Sequence, residues 1–199
     1  MALMRLFTCI YLSDDALDHL DLAVSGLDVS PGRVANSQLR WVPREQRHIT
    51  LAFHGNVPDG AVQDFINLLT DLVVEVEPFE VSLSGGGSFS GRTLWTGIAD
   101  GMPAVRALAL IAEDAASQAG FRADTRAGGR PHLTLARTGG RRGTHPLDAW
   151  AHALALYRGP SFAVDEIHVV ESELGKGRSG GPLHQTVAAI PLGHYQGNF

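Results

Sequence analysis

The segment RHITLAFHG, residues 47–55, returns in altered form as RPHLTLARTGG, residues 130–140. Both copies contain His-x-Thr-Leu, with His48 and Thr50 in the first and His132 and Thr134 in the second. Each motif lies in a run where apolar and polar residues alternate, which is the pattern of a β-strand with one buried face. A chain that carries the same unusual strand twice is expected to contain an internal duplication.

Two further pairs of segments support the duplication. LFTCI starts at Leu6 and matches LWTGI, which starts at Leu94, while FEVSL and FAVDEI start at Phe79 and Phe162. The members of each pair lie 83 to 88 residues apart, and all the pairs follow the same order along the chain. The sequence therefore reads as two related halves.

Each half predicts the same order of elements, namely a strand, a helix, the His-bearing strand, a second helix and another strand. The helices are predicted in SDDALDHLDLAV with Ser13 as N-cap, at 60–74, in MPAVRALALIAEDAASQAG ending at Gly120, and at 146–157. We expect an α+β fold of two lobes about a pseudo-twofold axis, each an antiparallel sheet with helices on its outer face, with the active-site cleft between them. The lobes should form one domain over residues 1–199, with sequence halves 1–88 and 89–199, and exchange of strands between lobes is left open.

Two glycine-rich segments mark the loops of this arrangement. SGGGSFSGR, residues 84–92, has the composition of a flexible linker, but its flanking strands favour an ordered loop or bulge near the boundary between the halves. ESELGKGRSGGP, residues 171–182, is predicted to be the other loop.

Composition limits the classes of function. The 199 residues are 44% hydrophobic and include one cysteine, Cys9, so a disulfide framework and a cysteine-based zinc site are excluded. The formal charge of −5 argues against sequence-independent binding along a nucleic acid duplex. The first apolar run is too short to span a bilayer. We expect a monomeric cytoplasmic protein with no membrane partner.

The paired motifs suggest acid–base chemistry. Within a strand, His48 and Thr50 point to one face and their apolar neighbours to the core, and the same holds for His132 and Thr134. Two imidazoles on opposite sides of a reacting atom can deprotonate an incoming oxygen and protonate a leaving one. The hydroxyls, together with Arg137 three residues beyond Thr134, can hold oxygen atoms that gain charge.

Other interpretations of these residues are less well supported. A single histidine on a strand is more often structural than catalytic, but its recurrence at equivalent points of a repeat favours function. Nine histidines, among them His54, His145 and His152, would allow a metal site, yet there is no His-Glu-x-x-His and no cysteine cluster. A nucleophile elbow and a Walker loop are also absent. Five histidines are expected on solvated faces or at the termini: His19, His145, His152, His168 and His194.

Taken in order, MRLFTCIYL, LRWVPREQRHITLAFHG, RTLWTGI and RPHLTLAR resemble the two-histidine phosphoesterase superfamily. Within it, the sequence is most similar to the bacterial and archaeal RNA 2′,3′-cyclic phosphodiesterases, also called 2′-5′ RNA ligases. This resemblance implies a two-lobed fold and hydrolysis of terminal 2′,3′-cyclic phosphates of RNA or nucleotides to 2′-phosphates, without metal or other cofactor. ATP-independent 2′-5′ RNA ligation in the same cleft and a catalytically silent nucleotide-binding module are the alternatives.

The resemblance also assigns roles to individual residues. It implies that His48 is the general acid and His132 the general base, and that Thr50, Thr134 and Arg137 bind the phosphate. Phe53 matches an aromatic position associated with stacking on the terminal base. Where relatives usually have a tyrosine near the C-terminus, this chain has His184, whose role is left open.

Overall fold

We describe residues 2–27, 39–121, 130–138, 147–177 and 180–193 of a computed structural model of the chain. The α-helices of this part are α1 (Asp14–Ser25), α2 (Asp59–Val73), α3 (Met102–Gln118) and α4 (Leu147–Ala153). The strands are β1 (Leu3–Tyr11), β2 (Leu39–Trp41), β3 (His48–Pro58), β4 (Phe79–Phe89), β5 (Thr93–Ile98), β6 (Leu133–Thr138), β7 (Arg158–Val164), β8 (Glu166–Glu173) and β9 (Leu183–Pro191). None of the helices described is long and apolar enough to cross a membrane.

Local signals fix one end of two of the four helices, α1 and α3. The Ser13 hydroxyl accepts a hydrogen bond from the Ala16 amide at 3.3 Å, which confirms Ser13 as the N-cap of α1. Helix α2 starts at Asp59, one residue before its predicted start. Helix α3 ends just before Gly120, which has a φ of +86° that favours glycine.

Helix α4 is shorter than predicted. It ends at Ala153 rather than at Tyr157, and the predicted start at Pro146 lies outside the described residues. After Ala153 the chain tightens into turns, in which the amide of Ala155 donates to the carbonyl of His152. Leu154 is buried within these turns, and Leu156 is 97% exposed.

One curled antiparallel sheet contains all nine strands, in the order β7-β4-β5-β6-β3-β1-β8-β9, with β2 paired to β6. We call β3, β1, β8 and β9 the first lobe and β6, β5, β4 and β7 the second lobe. The predicted α+β fold of two related lobes is confirmed. Strand β4 comes from the first half of the sequence but pairs with β5 and β7, whereas β8 and β9 extend the sheet from β1.

The two faces of the sheet differ. Ile49 and Leu133 point to the helix side, where they are fully buried in the main hydrophobic core with Leu20 of α1, Phe65 of α2 and Leu108 of α3. The opposite face carries the histidines of the repeated motifs. The helices therefore cover one face and leave the other open for a site.

Equivalent β-bulges interrupt β3 and β6. Along β3, Thr50 pairs with Cys9 and Ala52 with Thr8, so Leu51 is the extra residue. Along β6, Thr134 pairs with Trp95 and Ala136 with Leu94, so the extra residue is Leu135. A bulge shifts the alternation of faces by one residue and is often found beside active sites.

The glycine-rich segment at residues 84–92 is part of an ordered hairpin, not a linker. Strands β4 and β5 pair from Leu83 to the turn at Ser90 and Gly91, with a bulge at Gly85. A Cβ on Gly86 would lie 2.5 Å from that of Leu154 next to α4, and one on Gly87 would lie 2.1 Å from the Trp95 ring. The absent side chains let β4 fit between a helix and an indole ring.

Candidate active site at the centre of the sheet

The repeated motifs meet where the two lobes join. Strands β3 and β6 are antiparallel neighbours, and Ile49 pairs with Leu133. A twofold axis through this pair relates His48 to His132 and Thr50 to Thr134. Because the paired leucine and isoleucine point into the core, the two histidines and the two threonines point to the open face.

Both imidazoles are held in the same way. Nδ1 of His48 donates a hydrogen bond to the carbonyl oxygen of Gln46 at 2.7 Å, and Nδ1 of His132 donates to the carbonyl oxygen of Arg130, also at 2.7 Å. A carbonyl can only accept, so Nδ1 carries the proton and Nε2 of the neutral ring has a free lone pair. Each ring is therefore oriented to exchange a proton through Nε2.

The bulge in β6 directs Arg137 to the open face. Its Nη2 lies 3.4 Å from Oγ1 of Thr134, and its backbone pairs with Thr93 on one side and Arg40 on the other. Strict alternation from Thr134 would have placed residue 137 on the core side. The bulge in β3 turns Phe53 to the open face in the same way, opposite Phe7.

The pKa values of His48, His132 and His184 are all lowered, and the charge of Arg137 contributes to each of these shifts. Burial is the main cause that lowers the pKa of His48 to about 4; charge on His184, Arg137 and His132 adds to this shift, and the hydrogen bond to Gln46 opposes it. Burial also lowers the pKa of His132, where the charge of Arg137 again contributes. The pKa of His184 is lowered by burial and by Arg137. The surroundings therefore favour the neutral form of both motif imidazoles in the free protein.

The turn that precedes β3 orients the imidazole of His48. The amide of Val42 bonds to the carbonyl of Leu135, and the chain next pairs with β6 at Ile49, so residues 43–47 leave the sheet before β3 begins at His48. This turn contains a short 3₁₀ helix, Arg44–Gln46, which carries the carbonyl that holds His48.

Helix α1 fixes the same turn through its acidic face. Nη1 of Arg44 lies 2.8 Å from Oδ2 of Asp21 and 2.9 Å from Oδ1 of Asp18, and the buried Arg47 also pairs with Asp21. Burial raises the pKa of Asp21, but the hydrogen bonds from Arg47 and Arg44 outweigh it and hold the pKa below its usual range. Asp21 therefore remains a carboxylate and anchors the turn.

An aromatic wall lines the site beside His48. The ring centroid of Phe7 lies 4.8 Å from that of His48 and 5.9 Å from that of Phe53. His184 of β9 lies 5.4 Å from His48 and 5.0 Å from Phe7, and its Nδ1 is buried without a hydrogen-bond partner in the described part of the chain. Tyr11 completes the wall, with its ring centroid 6.1 Å from that of His48 and the two rings nearly perpendicular.

A second aromatic wall lines the site beside His132. Phe89 lies 4.9 Å from His132, with its ring edge-on, and stacks on Trp95 at 5.1 Å. Trp95 is the repeat partner of Phe7, because both are the second residue of the matched segments LWTGI and LFTCI. Sequence reasoning singled out Phe53 but missed the other members of both walls, although the aromatic residue at this equivalent position of the repeats was a usable signal.

The remaining histidines are more varied than predicted. His19 and His152 are exposed, as expected, whereas His145 and His194 lie outside the described residues. His168 was predicted to be solvated, but its side chain is only 13% exposed because it packs against Tyr11 and pairs with Glu166. His54 is buried in the core and hydrogen-bonded to Thr8. Across the described ranges, no group of three His, Cys, Asp or Glu residues could hold a metal ion.

The arrangement supports proton transfer at a bound anion. Two imidazole Nε2 atoms, two hydroxyls and one guanidinium border the open face at the junction of the lobes. Imidazoles of this kind can act as acid and base on opposite sides of one reacting atom, while hydroxyl and guanidinium hydrogen bonds stabilise negative charge.

Comparison with known sequences supports the family resemblance that the sequence motifs indicate. A family model described as the 2′-5′ RNA ligase superfamily matches residues 20–176. The chain is 28% identical over 193 residues to an RNA 2′,3′-cyclic phosphodiesterase of Methanothermobacter thermautotrophicus, covering 95% of this chain and 99% of that protein. It is 31% identical over 156 residues to one of Geobacillus stearothermophilus; this match covers 76% of the chain but spans only 47% of the longer relative.

Solved structures share the fold. The apo crystal structure of E. coli LigT superposes with a TM-score of 0.72 at 20% identity, covering 97% of this chain and 99% of LigT. The crystal structure of TT0787 from Thermus thermophilus superposes with a TM-score of 0.70 at 23% identity, covering 95% of this chain and 98% of that protein. The family model spans both His-x-Thr motifs and the fold agrees, which confirms the resemblance inferred from the sequence: the chain belongs to the 2′-5′ RNA ligase superfamily.

Proposed function

We propose that the protein hydrolyses 2′,3′-cyclic phosphate ends of RNA or nucleotides by acid–base catalysis with His48 and His132. The observation that carries the proposal is the matched pair of imidazoles at the lobe junction, each with Nδ1 tied to a backbone carbonyl and Nε2 left for proton transfer. Curated relatives are named RNA 2′,3′-cyclic phosphodiesterases, which supports the substrate class.

The proposed reaction is an in-line displacement at phosphorus. Neutral His132 takes a proton from water as its oxygen attacks, the bond from phosphorus to O3′ breaks, and protonated His48 donates its proton to O3′. Thr50, Thr134 and Arg137 bind the non-bridging oxygens as they gain charge. The product is a 2′-phosphomonoester, and the two histidines exchange protonation states during the step.

The assignment of acid and base rests on family resemblance, because the pseudo-twofold arrangement makes the two imidazoles nearly equivalent. Phe53 is proposed to stack on the base of the terminal nucleotide, and its place opposite Phe7 on the open face supports this. Both imidazoles come from one chain, so one copy can complete the site, and a monomeric cytoplasmic enzyme is the form we propose.

The decisive experiment is turnover of 2′,3′-cyclic AMP with identification of the product by phosphorus NMR. We expect 2′-AMP and the same rate in the presence of EDTA. A 3′-AMP product would reverse the roles of the two histidines, and loss of activity in EDTA that a divalent ion restores would favour a metal enzyme. Binding without any turnover would support the silent nucleotide-binding module instead.

A further inference from the structure

Two arginines lie directly opposite each other on the open face of the sheet. Arg40 of β2 pairs in register with Arg137 of β6. The next pair in this ladder is Trp41 with Ala136, and it faces the helices. Ala136 is fully buried, and Trp41 stacks on Trp150 of α4 at 5.4 Å. Because successive residues of a strand alternate between the faces, Arg40 shares the open face with Arg137.

Neighbouring carboxylates do not neutralise this pair of like charges. Across the ranges that the structure describes, neither Arg40 nor Arg137 forms an ion pair with an acidic residue. The acidic side chains of α1 lie on the other side of the sheet, with the helices. Like charges directly opposite on paired strands destabilise a sheet, so an anion bound between them would stabilise it.

Arg40 keeps most of its hydrogen-bonding capacity for a ligand. Its Nη1 donates to the carbonyl oxygen of Gly180, in the segment between β8 and β9, at 3.3 Å. A guanidinium has a planar fork of five N–H donors, which matches the oxygens of a phosphate. One bond to a carbonyl leaves the other donors for such a group.

The covalent structure of a nucleotide connects this arginine with the proposed substrate. A 2′,3′-cyclic phosphate lies between the base, which is attached next to C2′, and the 5′ group, which is attached next to C3′. Ile49 pairs with Leu133 at the junction of the lobes. Phe53 follows this pair along β3, and Arg137 follows it along β6. Because the two strands are antiparallel, a base stacked on Phe53 directs the 5′ group the other way, towards Arg137 and Arg40.

We propose that Arg40 forms a second phosphate subsite, which binds the phosphodiester on the 5′ side of the terminal nucleotide of an RNA strand. Arg40 donates to the non-bridging oxygens of this unreactive phosphate, while Arg137 holds the cyclic phosphate. The inference rests on the proposed function and adds a second anionic group to its substrate. A nucleotide with a free 5′-hydroxyl leaves the subsite empty, so RNA ends should be the better substrates.

The test compares 2′,3′-cyclic AMP, which has a free 5′-hydroxyl, with two substrates that carry a phosphate on the 5′ side. One is 5′-phosphoadenosine 2′,3′-cyclic phosphate, and the other is 3′-5′-linked ApA with a terminal 2′,3′-cyclic phosphate. For both we expect kcat/KM to be about tenfold higher, at the lower end for hydrogen bonds to charged groups because Arg40 is exposed. The increase should shrink as salt is added, since exposed charges are screened.

The three substrates separate a phosphate subsite from other causes. Equal kcat/KM for all of them in wild type would overturn the subsite. An increase for the dinucleotide alone would assign the effect to its second base and would also overturn it. An increase for the 5′-phosphate alone would mean that the site takes a phosphomonoester and not the phosphodiester of a strand, which contradicts the inference.

Variants then locate the effect through the ratio of kcat/KM for substrates with and without the 5′ phosphate. Arg40→Ala should bring this ratio close to one, and Arg40→Lys should recover part of it because the charge remains without the planar fork. Arg106→Ala removes an exposed arginine of α3 on the helix side and should keep the wild-type ratio. A wild-type ratio in Arg40→Ala would show that Arg40 is only a solvated surface residue.

Failure of the proposed function would give a different result. If wild type turns over none of the three substrates, hydrolysis is rejected, and calorimetry with adenosine 2′,5′-bisphosphate and 2′-AMP still tests the subsite. The bisphosphate should bind about tenfold more tightly than 2′-AMP to wild type, and equally to Arg40→Ala. Equal affinities in wild type would overturn the inference.

Discussion

His48 and His132 each donate Nδ1–H to the carbonyl two residues upstream, and both bonds measure 2.7 Å. The shared geometry leaves both Nε2 atoms available at the junction of the lobes. His48→Ala and His132→Ala should each lower kcat/KM for 2′,3′-cyclic AMP by roughly 10²-fold or more, the usual size of general acid or base catalysis. His152→Ala, an exposed position on α4, is the control and should keep the wild-type rate. Retention of activity by either motif variant would remove that histidine from the reaction.

The pH dependence should be displaced to the acid side of neutrality. Burial holds the pKa of His48 at about 4 and lowers that of His132 from 6.5. Because kcat/KM reports the free enzyme, we expect a bell-shaped profile with both limbs below 6.5, each belonging to the coupled pair. Steady-state rates between about pH 3.5 and 8 test this, and an optimum at or above about pH 7 would contradict it.

Asp21 should matter for catalysis although it lies outside the site. Asp21→Asn removes the negative charge that pairs with Arg44 and Arg47. This change should loosen the turn whose Gln46 carbonyl orients His48. We expect kcat to fall roughly tenfold, less than the roughly 10² that a misplacement of about 1 Å can cost, with a smaller change in KM. Asp15→Asn on the same helix is the matched control. Equal rates in the two variants would show that the ion pairs of Asp21 do not position His48.

Arg137 should contribute to both binding and rate. Arg137→Ala removes a charged hydrogen-bond donor, and such bonds contribute about 1.5–3 kcal/mol, so a loss of roughly 10- to 10²-fold in kcat/KM is expected. Arg137→Lys keeps the charge without the planar fork and should restore only part of the activity. Arg106→Ala on α3 controls for loss of an arginine. A phosphate inhibition constant that is unchanged in Arg137→Ala would exclude the phosphate-binding role.

Acid should destabilise the fold through His54. Burial lowers its pKa from 6.5 to about 4, so the unfolded chain takes up a proton that the folded protein resists. As the pH drops from 6.5 towards 4, His54 alone should lower the free energy of unfolding by on the order of 3 kcal/mol, at about 1.36 kcal/mol per pKa unit. Urea unfolding at several pH values measures this loss. His54→Gln should have a flatter pH dependence than wild type even if it is less stable at neutral pH, and an unchanged slope would contradict the assignment to His54.

Much of the fold was predictable because the repeats carry simple periodicities. Alternation placed His48 and Thr50 opposite Ile49 and Leu51, and the structure buries Ile49 and Leu51 in the core. Caps and glycines defined helices α1 and α3. The end of α4 was not predictable in this way, because the turns after Ala153 depend on the packing of Leu154 against Gly86 of β4.

The bulges explain why strict alternation failed beyond the threonines. Each motif continues with Leu-Ala, two small or apolar residues in succession, and in both copies that pair lies at the bulge. A doubled apolar step in both repeats was the available signal that Phe53 and Arg137 would return to the open face. His184 could not be placed by any local pattern, since it reaches His48 only through the pairing of β9 with β8 and of β8 with β1.

The exchange of strands between the lobes has a consequence for folding. Strand β1 lies between β3 and β8, and β4 lies between β5 and β7. One neighbour of each inner strand, β8 for β1 and β7 for β4, therefore comes much later in the sequence. Pairing over such separations is slow, because the loop-closure entropy is lost before the contacts form. A chain cleaved at the turn between Phe89 and Thr93 would give two fragments, each with one His-x-Thr motif and each with unpaired inner strands. We expect that neither fragment alone completes the sheet, because β4 lies in the first fragment and its partners β5 and β7 lie in the second, and that their association rebuilds the walls around both imidazoles.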